Sequence, residues 1–195
     1  MFNYKPGPEQ MNLTAPMLMT QLRIVIAAFV MGVVVFTAIG AFTLLAGGPG
    51  GTAPSPNPGG GVPVAPGSNP AGLPAIAGLD PLTLVMFVLM FSMPMAYGFA
   101  VALPMQGKAR TLWQNRTDDV VAGRAILNTF GARTITGAAM MESIGLFGGV
   151  VVYIRHDPLG FIGAGFALIA LAVLFPTQSK LNAFIEKATG KPVVG

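Results

Sequence analysis

Long runs of residues with little or no charge constrain this chain most. A helix needs roughly 17 to 25 residues to cross about 30 Å of hydrocarbon at about 1.5 Å per residue. Runs that approach or exceed this length occur at 24–46, 82–103, 134–154 and 159–175, and the last is the shortest. The pattern therefore predicts four transmembrane helices.

The composition agrees with a membrane protein, since 53% of the residues are hydrophobic and only 9% are charged. About a quarter of the residues in an ordinary soluble protein are charged. Lipid offers no partner to the backbone, so only helices and closed barrels span it. The two-residue alternation of barrel strands is absent from these runs. The sequence therefore predicts an all-α membrane protein.

Lysine and arginine predict the orientation, because short loops that carry them stay in the cytoplasm. Ten of these residues precede the first run, separate the second from the third, or follow the fourth. None lies between the first two runs, and only Arg155 lies between the last two. Both termini are therefore expected in the cytoplasm. This topology accounts for the net charge of +4, and nucleic acid is not an expected partner.

Residues 47–80 are dominated by glycine, proline and small residues, which predicts a disordered external linker. It is either a solvated tether or a docking segment for a partner or a cell wall. On one side lies 1–46, the N-terminal segment and first span. That span is expected to be a retained anchor, because it is too long for a typical signal-peptide core. On the other side lies 81–195, a three-span helical bundle with a cytoplasmic loop.

Local signals predict where two helices begin or end. Thr117, followed by Asp118 and Asp119, is typical of a helix N-cap with acids in the first turn. The third helix is therefore expected to extend into the cytoplasm from about 118. In the C-terminal tail, apolar residues at helical spacing alternate with lysines, which predicts an amphipathic helix that ends near Gly190.

A single acid, Glu142, interrupts the third run. It lies nine residues beyond Arg133, which is about 13 to 14 Å at helical rise and close to the membrane midplane. A charge there costs a few kcal/mol, so an intramembrane acid is by default a functional candidate that faces protein or a cavity. Glu142 is the candidate site for a proton or a cation.

Small residues share the face of Glu142 and recur in the fourth run. Such residues let two membrane helices approach closely. Because the turn "RHDP" between the runs is short, spans three and four are expected to form a tight hairpin. The predicted packing face consists of Ala138, Gly145, Gly149, Gly163 and Ala167.

Two interpretations of Glu142 stay open. Desolvation favours its protonated, neutral form. In one interpretation the side chain exchanges a proton or binds a cation as its surroundings change. In the other it is a neutral strut that pairs with Ser92, Tyr97, Ser143 or a backbone carbonyl.

Catalytic patterns are absent from the sequence. No nucleophile with an adjacent base, phosphate loop or metal-ligand cluster is visible, and there is no cysteine, so we expect neither an enzyme nor a metal or cofactor. Met86, Met90 and Met93 share a face. Thioethers bind soft metals, but methionine is also a common gap-filler in apolar packing, which is the preferred interpretation.

The string "TGAAMMESIGLFGGVVVYI", residues 136–154, resembles the carboxylate-bearing helix of the proteolipid (c) subunit of rotary ATP synthases. In that family a glycine and alanines precede the glutamate, and an aliphatic, aromatic and glycine run follows it. The resemblance implies that Glu142 is the ion-carrying acid.

A broader resemblance covers roughly residues 82–187. A span, a basic loop, "RTITGAAMMESIGLFGGVVVYI", a tight turn, an aliphatic span and "FPTQSKLNAFIEK" follow in this order. The order is similar to a family of small uncharacterised four-span bacterial inner-membrane proteins, which implies a bacterial plasma membrane. The sequence thus favours a structural or accessory subunit of a membrane assembly, with proton or cation handling through Glu142 as the alternative. Its expected partners are the lipid bilayer and other membrane subunits or further copies of itself.

Overall fold

The computed structural model of the protein describes residues 8–46 and 81–190, with side chains from residue 15 to residue 45 in the first range. Every regular element in these ranges is helical, which confirms the all-α class. The predicted linker at 47–80 lies outside the described residues. In chain order the elements are α1 Pro8–Ala46, α2 Pro81–Ala96, a π-helical segment Tyr97–Ala102, α3 Leu103–Gln114, α4 Asp119–Arg155, α5 Gly160–Leu174 and α6 Gln178–Thr189.

Three stretches of helix are long and apolar enough to cross a membrane: Ala15–Leu45, Pro81–Gln114 and Asp119–Arg155. They contain nearly all of the first three predicted spans and extend beyond most of their ends. The fourth prediction corresponds to α5, whose 15 residues reach only about 22 Å. Together with α6, from which it is bent by 64°, α5 forms a possible fourth span. The helices fit an all-α membrane protein with three or four spans.

The start of α4 is capped by Asp118. Its extended backbone (φ −139°, ψ 124°) aims the short carboxylate at the first turn, where it accepts hydrogen bonds from the Val120 N–H at 2.7 Å and the Val121 N–H at 3.3 Å. This satisfies donors that have no partner within the helix. The predicted start near 118 is confirmed. The predicted cap, Thr117, is wrong by one residue.

The break between α5 and α6 follows from Pro176. A proline disfavours helical geometry in the residue before it, and Phe175 is extended at ψ 128°. Thr177 then caps α6, its hydroxyl oxygen accepting from the Lys180 N–H at 3.3 Å. The Lys180 ammonium donates to the carbonyl oxygens of Phe175, at 2.9 Å, and Val173. A cation on the last carbonyls of a helix is favourable, so Lys180 holds the bend in place.

Helices α1 and α4 run side by side in the same direction. A Cβ built on Gly131, near the start of α4, would lie 3.4 Å from Leu18 Cδ1. One built on Gly40, near the end of α1, would lie 3.0 Å from Val152 Cγ1. These two contacts are separated by about 30 Å of helix. We call this contact the α1–α4 seam.

Helices α4 and α5 form an antiparallel pair with backbone in contact with backbone. A Cβ on Gly148 would lie 2.5 Å from Gly160 O and 3.0 Å from Ala164 N. A Cβ on Gly163 would lie 3.3 Å from Gly148 Cα. Only glycine allows so close an approach, which is a common way for membrane helices to associate.

Buried residues form two cores along the bundle. The first lies among α1, α2, α4 and α5 and includes Met86, Met90 and Met141. The predicted use of methionine as packing material agrees with their burial. The second core lies where the N-terminal half of α1, α3, the start of α4 and α6 meet; its buried members are Met19, Leu22, Ala109, Ile126, Leu127, Phe130, Leu181, Phe184 and Ala188.

Large apolar side chains surround the first core on its outer side. Leu45 is 83% exposed, Phe91 is 73% exposed and Ile169 is 68% exposed. A contiguous exposed apolar surface of this kind is the mark of an interaction with lipid or protein. The second core is instead surrounded by charge. We call this the basic end, defined by Arg23, Lys108, Arg110, Arg116, Arg124, Arg133, Lys180 and Lys187.

The glycine contact between α4 and α5 yields a stability prediction. Gly148→Ala places a methyl group against the backbone of α5 and is expected to destabilise the fold by about 1 to 3 kcal/mol, as overpacking does. Gly165→Ala, on α5, is the matched control. Nothing lies within 4 Å of a Cβ there, so the better helix propensity of alanine should leave stability unchanged or raised by up to about 1 kcal/mol. Thermal unfolding in detergent measures both, and equal effects would contradict the packing.

Candidate functional site

Glu142 lies on α4, half-buried at the α1–α4 seam. Gly32 of α1 lies against it, since a Cβ built on Gly32 would lie 2.9 Å from Glu142 Oε1. The absence of a side chain on Gly32 thus makes room for the carboxyl group. Helix α1 therefore provides a surface on which the acid rests.

The open side of Glu142 carries two alanines and a valine. Helical spacing places Ala28 and Val35 one turn on either side of Gly32, and Ala139 one turn before Glu142. All three are exposed. The acid therefore lies at the boundary between the bundle interior and its apolar outer surface.

The polar side chains proposed as partners of Glu142 are engaged elsewhere or lie on the surface. Ser143 Oγ donates to Met140 O of its own helix at 2.7 Å. The Tyr97 ring packs on Gly137, where a built Cβ would lie 2.6 Å from its Cε2. Ser92 is exposed. Within the described part of the chain, the Glu142 carboxyl group has no hydrogen bond.

Three residues of the predicted packing face, Ala138, Gly145 and Ala167, lie in the interior of the bundle. Gly145 faces both neighbours of α4, since a Cβ there would lie 2.8 Å from the Ala167 Cβ of α5 and 2.9 Å from Val33 Cγ1 of α1. Ala138 is fully buried in the first core. The structure therefore brings Gly145 and Ala167 together.

The other two predicted residues have different neighbours. Gly149 faces α1, where the Phe36 ring occupies the space that a Cβ would need. Gly163 faces α2 as well as α4, since a Cβ there would lie 2.7 Å from Met86 Sδ. The closest approach of α4 to α5 occurs at Gly148, which the four-residue spacing of Gly145 and Gly149 did not indicate.

The sequence did not predict a long-range hydrogen bond at the end of the bundle that lies opposite the basic end. The Thr83 hydroxyl, at the start of α2, donates to Asp157 Oδ2 at 2.7 Å. Asp157 lies in the α4–α5 turn, and its Oδ1 accepts from the Leu159 N–H at 2.9 Å. Thr83 is fully buried. Residues so far apart in the chain give no local pattern that pairs them.

His156 ends α4 as a turn residue. Its φ of 54° is left-handed, and its N–H donates to Val152 O at 2.9 Å, an arrangement typical of a helix C-terminus. Among the residues that the structure describes, there is no group of three or more His, Asp or Glu side chains placed to hold a metal ion.

Comparisons of the chain with protein-family models, with curated proteins and with solved structures found no match. The geometry around Glu142 is therefore the main basis for a functional proposal.

The Thr83–Asp157 hydrogen bond can be tested without changing side-chain size. Thr83→Val removes a hydrogen-bond donor from the half-buried Asp157 carboxylate and is expected to cost about 1 to 3 kcal/mol of unfolding free energy. Thr129→Val is the control, because the Thr129 hydroxyl, also buried, only donates to Ala125 O of its own helix, at 2.8 Å. Denaturant titration in detergent compares them, and an equal loss in both would refute a special role for Thr83.

Proposed function

We propose that the chain is a four-span protein of the bacterial plasma membrane with both termini in the cytoplasm. Helices α1 and α4 lead away from the basic end, and α2–α3 and α5 lead back to it. All the described lysines and arginines except Arg155 lie at that end. Under the positive-inside rule this end faces the cytoplasm. The resemblance to small inner-membrane proteins supports the bacterial location.

In this proposal α5 is the fourth span and α6 lies at the cytoplasmic surface. Helix α5 is short, but it packs antiparallel on the C-terminal half of α4 and shares its apolar surroundings. Ile162, Ile169 and Val173 are exposed along α5, as lipid-facing residues are. The bend at Pro176 then turns α6 toward the second core.

The absence of cysteine makes this topology easy to test. A membrane-impermeant maleimide should label Ser68→Cys, in the proposed external linker, in intact cells. Lys108→Cys at the basic end should react only after the membrane is opened. Labelling of Lys108→Cys in intact cells, with Ser68→Cys protected, would reverse the orientation.

For the molecular role, we propose a structural or accessory subunit that docks to another membrane helix at the α1–α4 seam. The observation that supports this role is Glu142, a carboxyl group half-open to an apolar surface and without a hydrogen bond in the described residues. An unpaired polar group in such surroundings is costly. A partner helix on the small residues around Glu142 would cover the carboxyl group and supply a hydrogen bond. The partner is a second copy of the chain or another subunit.

Substitutions around Glu142 test this docking. Glu142→Gln keeps shape and hydrogen bonding and should leave assembly intact, whereas Glu142→Leu should weaken it. Ala139→Leu fills the docking surface and should also weaken assembly. Ala172→Leu, at an exposed site on α5, is the matched control. Cross-linking in native membranes and native mass spectrometry measure assembly.

Two results would contradict the docking proposal. One is loss of assembly in Glu142→Gln alone, which would require a charge and not a neutral hydrogen bond. The other is an equal effect of Ala139→Leu and Ala172→Leu, which would indicate a general response to bulk on the membrane surface.

Proton or cation handling is the second candidate function. It is supported by the same unpaired carboxyl group, which is free to exchange a ligand, and by the resemblance to the ATP synthase proteolipid helix. A hydrophobic carbodiimide reacts with protonated carboxyl groups, so it should modify Glu142 in native membranes, and less as the pH rises. Peptide mass spectrometry locates the adduct, with the exposed Asp118 and Glu186 as internal controls. No adduct at Glu142 would reject this candidate.

A further inference from the structure

A cavity of about 310 Å³ lies at the bend between α5 and α6. The π-helical segment, α3, α4, α5 and α6 all contribute to its walls. It is separate from the α1–α4 seam, and neither interpretation of Glu142 uses it. Its polar lining residues are Tyr97, Gln106, Arg133, Thr134, Lys180 and Lys187.

Three cations line this cavity: Arg133 from α4, and Lys180 and Lys187 from the first and last turns of α6. Among the described residues, no carboxylate lines it. Glu186, although next to Lys187 in the chain, is not part of its wall. The cavity is therefore a concentrated site of positive charge, suited to an anion.

Two of the cations are held in position by the fold. An Arg133 amino group donates to Gln106 Oε1 at 3.4 Å, and the guanidinium carbon lies 5.6 Å from the centre of the Phe184 ring. Lys180 is fixed by the carbonyl groups at the end of α5. A guanidinium has five N–H donors in a planar fork, so Arg133 keeps donors for a second, anionic partner. Such charge-assisted pairs with phosphate are strong and directional.

The position of the cavity favours a lipid. One wall includes Val173 and Leu174 of α5, and Val173 is 66% exposed on the apolar surface. Ile169, one turn away on the same face, is 68% exposed. Another wall is α6, with Lys180 and Lys187. The cavity thus lies at the boundary between the apolar surface and the basic end, the level of phospholipid headgroups.

We propose that this cavity binds the phosphate of an anionic phospholipid from the leaflet at the basic end. Arg133, Lys180 and Lys187 receive the phosphate, and an acyl chain lies along Val173 and Ile169. Basic pockets between membrane helices on the cytoplasmic side recognise lipid headgroups in this way. The proposal depends on the membrane placement of the bundle and not on Glu142.

The experiment uses the full chain purified in mild detergent and native mass spectrometry. Phosphatidylglycerol should be retained at least about tenfold better than phosphatidylcholine. Both lipids carry the phosphate, but the choline cation of phosphatidylcholine is repelled by the three cations that line the cavity. Arg133→Gln with Lys187→Gln should abolish this preference. Lys180 is left unchanged because it also holds the bend. Thermal unfolding without added lipid checks that the double variant is folded.

The control variant, Arg23→Gln with Arg110→Gln, removes the same charge from exposed positions of the basic end outside the cavity and should keep the preference. Equal losses in the two double variants would overturn the proposal in favour of diffuse attraction to the basic end. Equal retention of the two lipids by the unchanged protein would also overturn it. Release of phosphatidylglycerol by millimolar inorganic phosphate would identify a soluble phosphate as the ligand and reject the lipid.

Discussion

The parallel contact of α1 with α4 is the interaction on which the rest of the bundle depends. Glycines on both helices remove side chains from it, so dispersion forces act between closely approaching surfaces where lipid provides no hydrophobic drive. Gly32 and Gly40 lie on α1, and Gly131, Gly145 and Gly149 lie on α4. The same seam joins the two cores and positions Glu142, so the candidate site is a product of this packing.

Much of the fold could be predicted from the sequence because membrane insertion depends on local composition. Length and hydropathy indicated α1, α2, α4 and α5, and apolar residues at helical spacing indicated α6. Helix α3 was not predicted, because it lies in the basic stretch that was expected to be a loop. Pro176 with Thr177 marks the break before α6. The pairing of helices is different. Gly145 was expected to face α5 and contacts both α5 and α1, while the atoms nearest to a Cβ on Gly149 belong to Phe36 of α1. A spacing of four identifies a face of a helix, but it does not identify the neighbour, which depends on the tertiary arrangement.

The candidate site shows the same limit. The depth of Glu142 and the small residues beside it could be derived from spacing, but its contact with Gly32 joins segments that are distant in the chain. The cavity at the basic end is a related case. Arg133, Lys180 and Lys187 were counted for orientation, where only their number mattered. Their convergence depends on the bend at Pro176, which brings α6 back toward α4.

The pairing of α1 with α4 has a consequence for biosynthesis. Helix α1 is made first, yet the helix that covers its glycine-bearing face starts at Asp119, 73 residues after α1 ends at Ala46. During translation α1 therefore waits in the bilayer with that face open, until α4 leaves the ribosome and the insertion machinery. The order of synthesis leaves this bundle with an unpaired helix for several seconds, at typical elongation rates of about 5 to 20 residues per second.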